Sequence, residues 1–458
     1  MHADMDVRDS ILDLIGNTPL VRLRRVKQGV AADLLAKVES FNPGGSVKDR
    51  IGVAMILQAV ADGKLKPGGT VVECTSGNTG VGLAIAAAVM GYRGVFTMPD
   101  KMSLEKINLI KALGSEVVVT PTAVPADSPE SFYMVAERIV RETPGAFHTN
   151  QYHNPSNPQA HYESTGPEIW RQTAGRITHF IAGIGTGGTI SGIGRYLKEQ
   201  NPEVKVIGVD PEGSILREYY YSKRMGEARP YKVEGIGEDI IPTTTHFQYI
   251  DDIVQVGDKE SFLAARRLSR EEGILAGGSC GSALAGAYKA LKDSKPTDVA
   301  VVLLPDTGER YLSKMYNDAW MRDNGFLEPE LVAVREVLSA KKNAVPALVT
   351  VDAGHPVREA IDLIRTHDIS VIPVVREGKI VGTVNENALM RLVFEDPKVL
   401  EKRTGDVMEA PLPRIELGDS VKTAIRALAD RNPAVLAYDG DRAVGILTRI
   451  DVLSFVST

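Results

Sequence analysis

Cysteine is nearly absent: Cys74 and Cys280 are the only two in 458 residues. Two thiols build no disulfide framework, so the expectation is a chain kept in a reducing compartment such as the cytoplasm. The eight histidines show none of the paired spacings of a metal site, and no metal is expected. Long apolar runs are missing too. The longest, Val81 to Met90, is about half of what a bilayer span needs, so no membrane partner is expected. The residues before Ile11 carry Asp4, Asp6 and Asp9 and no apolar stretch, which argues against a secretory signal there. Charge of one sign is also lacking. A formal net charge of −6 and a pI near 5.9 make no electrostatic case for nucleic acid or an anionic surface, and small molecules are the expected partners.

What is present is an ordinary globular composition, 43% hydrophobic and 24% charged, in a chain long enough for two or three domains of roughly 100–200 residues. From about residue 10 to 320, short β-branched runs alternate with helical segments, which predicts an α/β fold with mainly parallel sheets built from two successive βαβ runs. Strands are expected at Thr70–Cys74, Gly94–Met98, Glu116–Thr120, Ile177–Ile184, Lys205–Asp210 and Val299–Leu304. Residues 1–320 read as one catalytic domain and the charged stretch 321–344 as a linker. In 345–458 the sequence nearly repeats itself. Val357–Ile364, Ile369–Val375 and Lys379–Val384 recur as Val421–Leu428, Ala434–Tyr438 and Arg442–Leu447, an offset of about 63 residues. These copies, about 345–395 and 403–458, are expected to pack as a pair, since neither buries its apolar face alone.

Chemistry concentrates in four short segments. Pro43-Gly44-Gly45-Ser46-Val47-Lys48-Asp49-Arg50 is a flexible turn that delivers a lysine to a helix start, with Ser46 read as N-cap, Asp49 as its capping-box partner and Lys48 as the second helical residue. There the positive end of the helix dipole favours the neutral amine, a nucleophile and base. Taken alone, Lys48 is more ordinarily a surface lysine. Thr75-Ser76-Gly77-Asn78-Thr79-Gly80 and Gly185-Thr186-Gly187-Gly188-Thr189 each join a strand to a helix and offer amides and hydroxyls to an anion. Gly277-Gly278-Ser279-Cys280-Gly281-Ser282 opens a further helix. Gly183 to Gly188 also satisfies the G-x-G-x-x-G dinucleotide pattern, with Asp210 following. Its place in mid-chain, rather than in the first βα unit, argues against an oxidoreductase.

In this order the motifs resemble the pyridoxal phosphate enzymes of the tryptophan-synthase-like fold, fold type II, and among them the cystathionine beta-synthase family. Ser46–Arg50, Thr75–Gly80, Gly185–Thr189, Asp210-Pro-Glu-Gly-Ser214 and Glu234-Gly235-Ile236-Gly237 carry the likeness, which covers almost the whole chain. It implies that Lys48 holds the cofactor covalently and serves as acid and base. Asn78 would bond the cofactor's 3′ oxygen, Gly185, Thr186, Gly187, Gly188 and Thr189 would cup its phosphate, and Ser279 would face the pyridine nitrogen. Thr75, Ser76, Thr79 and Gln151 would hold a substrate carboxylate, with Glu234, Gly235 and Glu238 on the side of the second substrate. The implied reaction joins L-serine to L-homocysteine. Cysteine synthase chemistry, from O-acetylserine and sulfide, is the alternative, and a non-enzymatic adenosyl-nucleotide sensor is the alternative of another class. Glu238 stands where eukaryotic members often have tyrosine, so a carboxylate there is expected to meet the homocysteine ammonium. About ten residues precede Ile11 with no cysteine among them, and no haem is expected.

The C-terminal repeat resembles a Bateman module, a pair of CBS-type units. That likeness implies an adenosyl ligand, S-adenosylmethionine first and AMP or ATP second, held at the ribose by Thr448 and Asp451. The first copy has Asn385 and Ala388 at those places, so one competent site is expected. A homodimer or homotetramer is implied for the whole chain, with the module otherwise serving only to dimerise.

Overall fold

The computed structural model describes residues 7–27, 29–75, 77–125, 127–328, 332–341, 348–429 and 432–456. The chain divides into two compact units, Met1–Glu328 and Pro329–Thr458. Helix Val334–Ala340, in the stretch read as a linker, packs within the second unit, where Val334 and Val337 join a cluster with Ile415 and Val421.

In the first unit the β-branched runs form two sheets. One has six strands in the spatial order Leu20–Arg22, Asp33–Val38, Val299–Leu304, His179–Gly183, Lys205–Pro211, Asp252–Val256. All neighbours are parallel except the first pair. The other has four parallel strands, ordered Glu116–Thr120, Arg93–Pro99, Thr70–Cys74, Ala146–His148. Strand Thr70–Cys74 is buried throughout, as a parallel strand covered on both faces must be. The helices that follow Cys74, Gly183 and Leu304 begin beyond the carboxyl ends of their strands, where open α/β sheets place ligands.

Helices Lys48–Ala61 and Asn78–Met90 lie backbone to backbone. A Cβ on Gly52 would come within 2.5 Å of the Gly82 carbonyl carbon, and one on Gly82 within 2.7 Å of the Lys48 carbonyl oxygen. Glycine at both positions therefore sets how near the lysine turn lies to the Asn78 turn. Below it, Arg50 reaches Glu39 and Glu168 at 2.8 Å each, and Lys37 reaches Glu168 at 2.8 Å. All four are buried, and a buried charge is held only when paired.

The second unit contains two three-stranded sheets of one design. A short parallel strand is followed by an antiparallel pair, Val371–Arg376 with Lys379–Asn385 in one copy and Ala434–Asp439 with Arg442–Thr448 in the other. The pairing shifts register at Val374/Val375 in the first and at Ala437/Tyr438 in the second. Val371 from one copy and Ala434, Leu436 and Ile446 from the other share one buried cluster, so the copies do pack as a pair.

Candidate active site

Lys48 is the first residue of its helix, not the second as the sequence suggested. Val47 takes the N-cap position without a side-chain cap, and the Ser46 hydroxyl accepts the Lys48 N–H at 3.2 Å. The expected capping box is also absent, because the Asp49 carboxylate turns back to accept the Gly44 N–H at 2.5 Å. Burial brings the Lys48 ammonium down to about 8, while Glu238 across the cavity opposes the change. Burial in turn lifts the Glu238 carboxyl to about 8, with Asp239 adding to it and Lys48 resisting.

Lys48 opens on a cavity of ≈ 660 Å³. Asn78, Thr79, Gln151 and Ser279 line it, as do Gly185, Thr186, Gly187 and Thr189, and on another side Glu234, Gly235 and Glu238. Two of the expected residues sit behind the wall. Thr75 is buried, and its hydroxyl accepts the N–H groups of Gly77 and Gly80 at 3.0 and 3.3 Å, so it shapes the turn. Gly188 begins helix Gly188–Gln200, and a Cβ there would fall 1.9 Å from Asn157 Oδ1. Ser76 lies outside the described residues.

The polar wall is held from behind. Thr79 Oγ1 donates to Gln151 Oε1 at 2.7 Å, and Gln151 Nε2 donates to the Cys74 carbonyl at 3.2 Å. Asn78 donates through Nδ2 to Asp306 Oδ2 at 2.9 Å and accepts at Oδ1 from Arg310, which also bonds the Gly44 carbonyl. One Nδ2 hydrogen is left for a ligand. Asn157 Nδ2 donates to Thr186 Oγ1 at 3.0 Å, and Thr189 Oγ1 lies 3.2 Å from His161 Nε2. Burial drives His161 well below the usual imidazole range, so it meets Thr189 as a neutral ring. Glu234 bridges Lys106 and Lys314 at 2.6 Å each, which holds its carboxyl low although burial resists. Its charge is therefore already spent within the wall.

Asp306, Arg310, His161, Lys106 and Lys314 were missed in the sequence. For Asp306 a signal existed: it follows the last parallel strand of its sheet at the carboxyl end.

The residues fit a phosphorylated pyridine aldehyde. Gly187 has φ +79°, and a Cβ there would meet Thr245 Oγ1 at 1.9 Å, while one on Gly185 would meet the Gly235 carbonyl at 2.8 Å. No side chain can fill this cup. Its amides precede a helix of 13 residues, the arrangement that binds phosphate without a cation. A lysine of lowered basicity opens on the same cavity.

Two kinds of family model match the chain. "Pyridoxal-phosphate dependent enzyme" covers residues 11–306, and "CBS domain" covers 334–395 and 405–458. A cystathionine beta-synthase of Dictyostelium discoideum is 40% identical over 98% of this chain and 92% of its own length. Another, from Saccharomyces cerevisiae, is 35% identical over 99% and 98%. Among solved structures, a hydrogen sulfide-producing enzyme of Fusobacterium nucleatum aligns with TM-score 0.63 and 38% identity over 67% of this chain and 100% of that one. O-ureido-L-serine synthase gives TM-score 0.63 and 39% identity, covering 69% and 99%.

Proposed function

Since the chain belongs to the pyridoxal-phosphate dependent enzymes, and within them to the cystathionine beta-synthase family, we propose that it condenses L-serine with L-homocysteine to cystathionine and water. The observation that carries this reading is Lys48 at a helix start on a cavity that is also lined by the Gly185–Thr189 turn and by Asn78 and Thr79.

Pyridoxal phosphate, when bound, supplies an electron sink that acidifies the substrate Cα and lets the β-substituent leave. Lys48 would hold the cofactor covalently, the amides of Gly185 to Thr189 would hold its phosphate, and Asn78 and Ser279 would fix its ring. A serine rather than a carboxylate beside the ring nitrogen leaves that sink shallow, which suits elimination and replacement at Cβ. Thr79 and Gln151, locked to each other, orient the serine carboxylate. The Lys48 amine, lowered in basicity by burial, takes the Cα proton at Nζ and delivers a proton to the departing hydroxyl. Glu238 meets the ammonium of the incoming thiol substrate. Its raised basicity means that an approaching cation would draw it into the ionised form, as Lys48 already does in part.

In the second unit, Thr448 Oγ1 donates to Asp451 Oδ2 at 2.7 Å, and Lys341 reaches the same oxygen at 3.1 Å. In the first copy, Asn385 instead caps its own helix by accepting the Ala388 N–H at 2.9 Å. We propose one adenosyl site, at Thr448 and Asp451, with S-adenosylmethionine as the ligand. Among the described residues no helix is long and apolar enough to cross a membrane. A cytoplasmic homodimer or homotetramer is the setting we propose.

The test is a two-by-two assay of serine or O-acetylserine against homocysteine or sulfide. Fastest turnover with serine and homocysteine supports the reading. Fastest turnover with O-acetylserine and sulfide would replace it with cysteine synthase activity. A purified protein without a yellow cofactor band would point instead to a sensor with a dead catalytic unit.

A further inference from the structure

Behind the active-site wall, at the carboxyl edge of the four-stranded sheet, three side chains converge that the reaction does not use. Cys74 ends strand Thr70–Cys74, and His148 ends the neighbouring parallel strand, paired with Val72. Glu73 turns its carboxylate between them. Cys74 Sγ lies 3.5 Å and His148 Nε2 4.0 Å from Glu73 Oε1, and all three ligand atoms fall within 4.8 Å of one another. Glu73 and Cys74 are buried. His148 Nε2 is sealed from solvent and has no hydrogen-bond partner, although its side chain is 20% exposed. A buried ring nitrogen without a partner calls for a reason.

We propose that Glu73, Cys74 and His148 form a binding site for a thiophilic divalent cation of the Zn²⁺ or Cd²⁺ class. One soft thiolate, one borderline imidazole and one hard carboxylate make a mixed S, N, O set that a borderline cation takes. Tetrahedral Zn²⁺ sets its ligand atoms roughly 3.3–3.7 Å apart. The Glu73–Cys74 spacing already meets that, and the His148 ring has to advance by about 1 Å or less. Binding releases the Cys74 thiol proton, and any proton held by Glu73, to solvent and leaves a fourth position for water. Burial otherwise favours protonated Glu73 and Cys74, and a divalent charge between them reverses that preference. The other carboxylate oxygen, Oε2, is already oriented by the Thr149 hydroxyl and the Gln151 N–H, while Oε1 accepts the Cys74 N–H at 3.0 Å and keeps its second lone pair for the cation. His148 also lies in the wall of a second, open cavity of ≈ 540 Å³ beside His153 and Asn154, so a cation would reach the cluster from that side by displacing the His148 ring. The site acts on the catalytic wall through two bonds to Gln151, from its Nε2 to the Cys74 carbonyl and from its N–H to Glu73 Oε2.

The test is a Cd²⁺ titration of the purified holoenzyme, read as the sulfur-to-metal charge-transfer absorption and as bound metal per chain after desalting. One equivalent is expected, with the charge-transfer band lost in Cys74→Ser and unchanged in Cys280→Ser. His148→Gln, at a partly exposed position that leaves the core intact, should weaken Cd²⁺ binding by about tenfold or more. A wild-type protein without the band, a band that survives Cys74→Ser, or affinity unmoved by His148→Gln would each overturn the site. None of these readouts depends on turnover, so they stand apart from the proposed reaction.

Discussion

The carbonyl oxygen of Lys48 rests on Gly82, so closely that a Cβ there would come within 2.7 Å of it. Gly82→Ala must push the two helices apart and carry the lysine with them. The expected result is a stability loss of about 1–3 kcal/mol, read by thermal unfolding, together with a weaker visible cofactor band at a fixed cofactor concentration. Unchanged unfolding and an unchanged band would show that the contact is slack.

Lys48→Ala should cut turnover by about 10²–10⁴-fold, the usual contribution of a positioned acid and base. Borohydride should no longer fix the cofactor to the chain. A variant that keeps its borohydride sensitivity would contradict the assignment of Lys48.

The buried cluster under the lysine helix makes a pH prediction. Although burial opposes it, the Arg50 and Lys37 charges hold the Glu168 carboxyl down at about 2. A lowered folded-state value means that its stabilisation is complete above the ordinary value of 4.5 and is lost as pH falls from there toward about 2. Acid titration of the thermal midpoint should show this loss in the wild type and a flatter course in Glu168→Gln. The variant should also be less stable at neutral pH by about 3–5 kcal/mol, since it leaves Arg50 and Lys37 short of a countercharge.

Glu238→Gln should raise the apparent KM for homocysteine by about tenfold or more, as loss of a hydrogen bond to a charged group does, and leave that for serine little changed. Because burial lifts the carboxyl to about 8, the homocysteine affinity of the wild type should improve as pH rises through that value. The variant should lack the improvement. Equal pH dependence in the two proteins would remove Glu238 from the contact.

Calorimetric titration with S-adenosylmethionine should give heat with the wild type and none with Asp451→Asn. Lys341→Met, which releases Asp451 from its ion pair, should change the affinity and keep the binding. Absence of heat and of any thermal shift in the wild type would end the sensor proposal.

Lys48, the two glycine turns and the repeat were legible because each is a contiguous string whose residue types declare a shape. The supports of the site were not. Asn78 is oriented by Arg310 from 232 positions away and by Asp306 from 228, pairs that only the folded sheets bring together. Thr75 looked like a ligand-binding hydroxyl in the sequence, and whether such a hydroxyl faces a cavity or its own backbone is decided by turn geometry. Cys74 and His148 looked unremarkable for the same reason as Asn78 and Arg310. They meet only through the pairing of two strands.

The register shift shared by the two copies of the C-terminal unit, at Val374/Val375 and Ala437/Tyr438, means that both present the same scaffold to a ligand. On the adenosyl site proposed above, what would separate the two halves is then a matter of two side chains rather than of backbone. Asn385 and Ala388 would then mark the half without a ligand, and replacing them with threonine and aspartate should turn a single-input device into one able to count two.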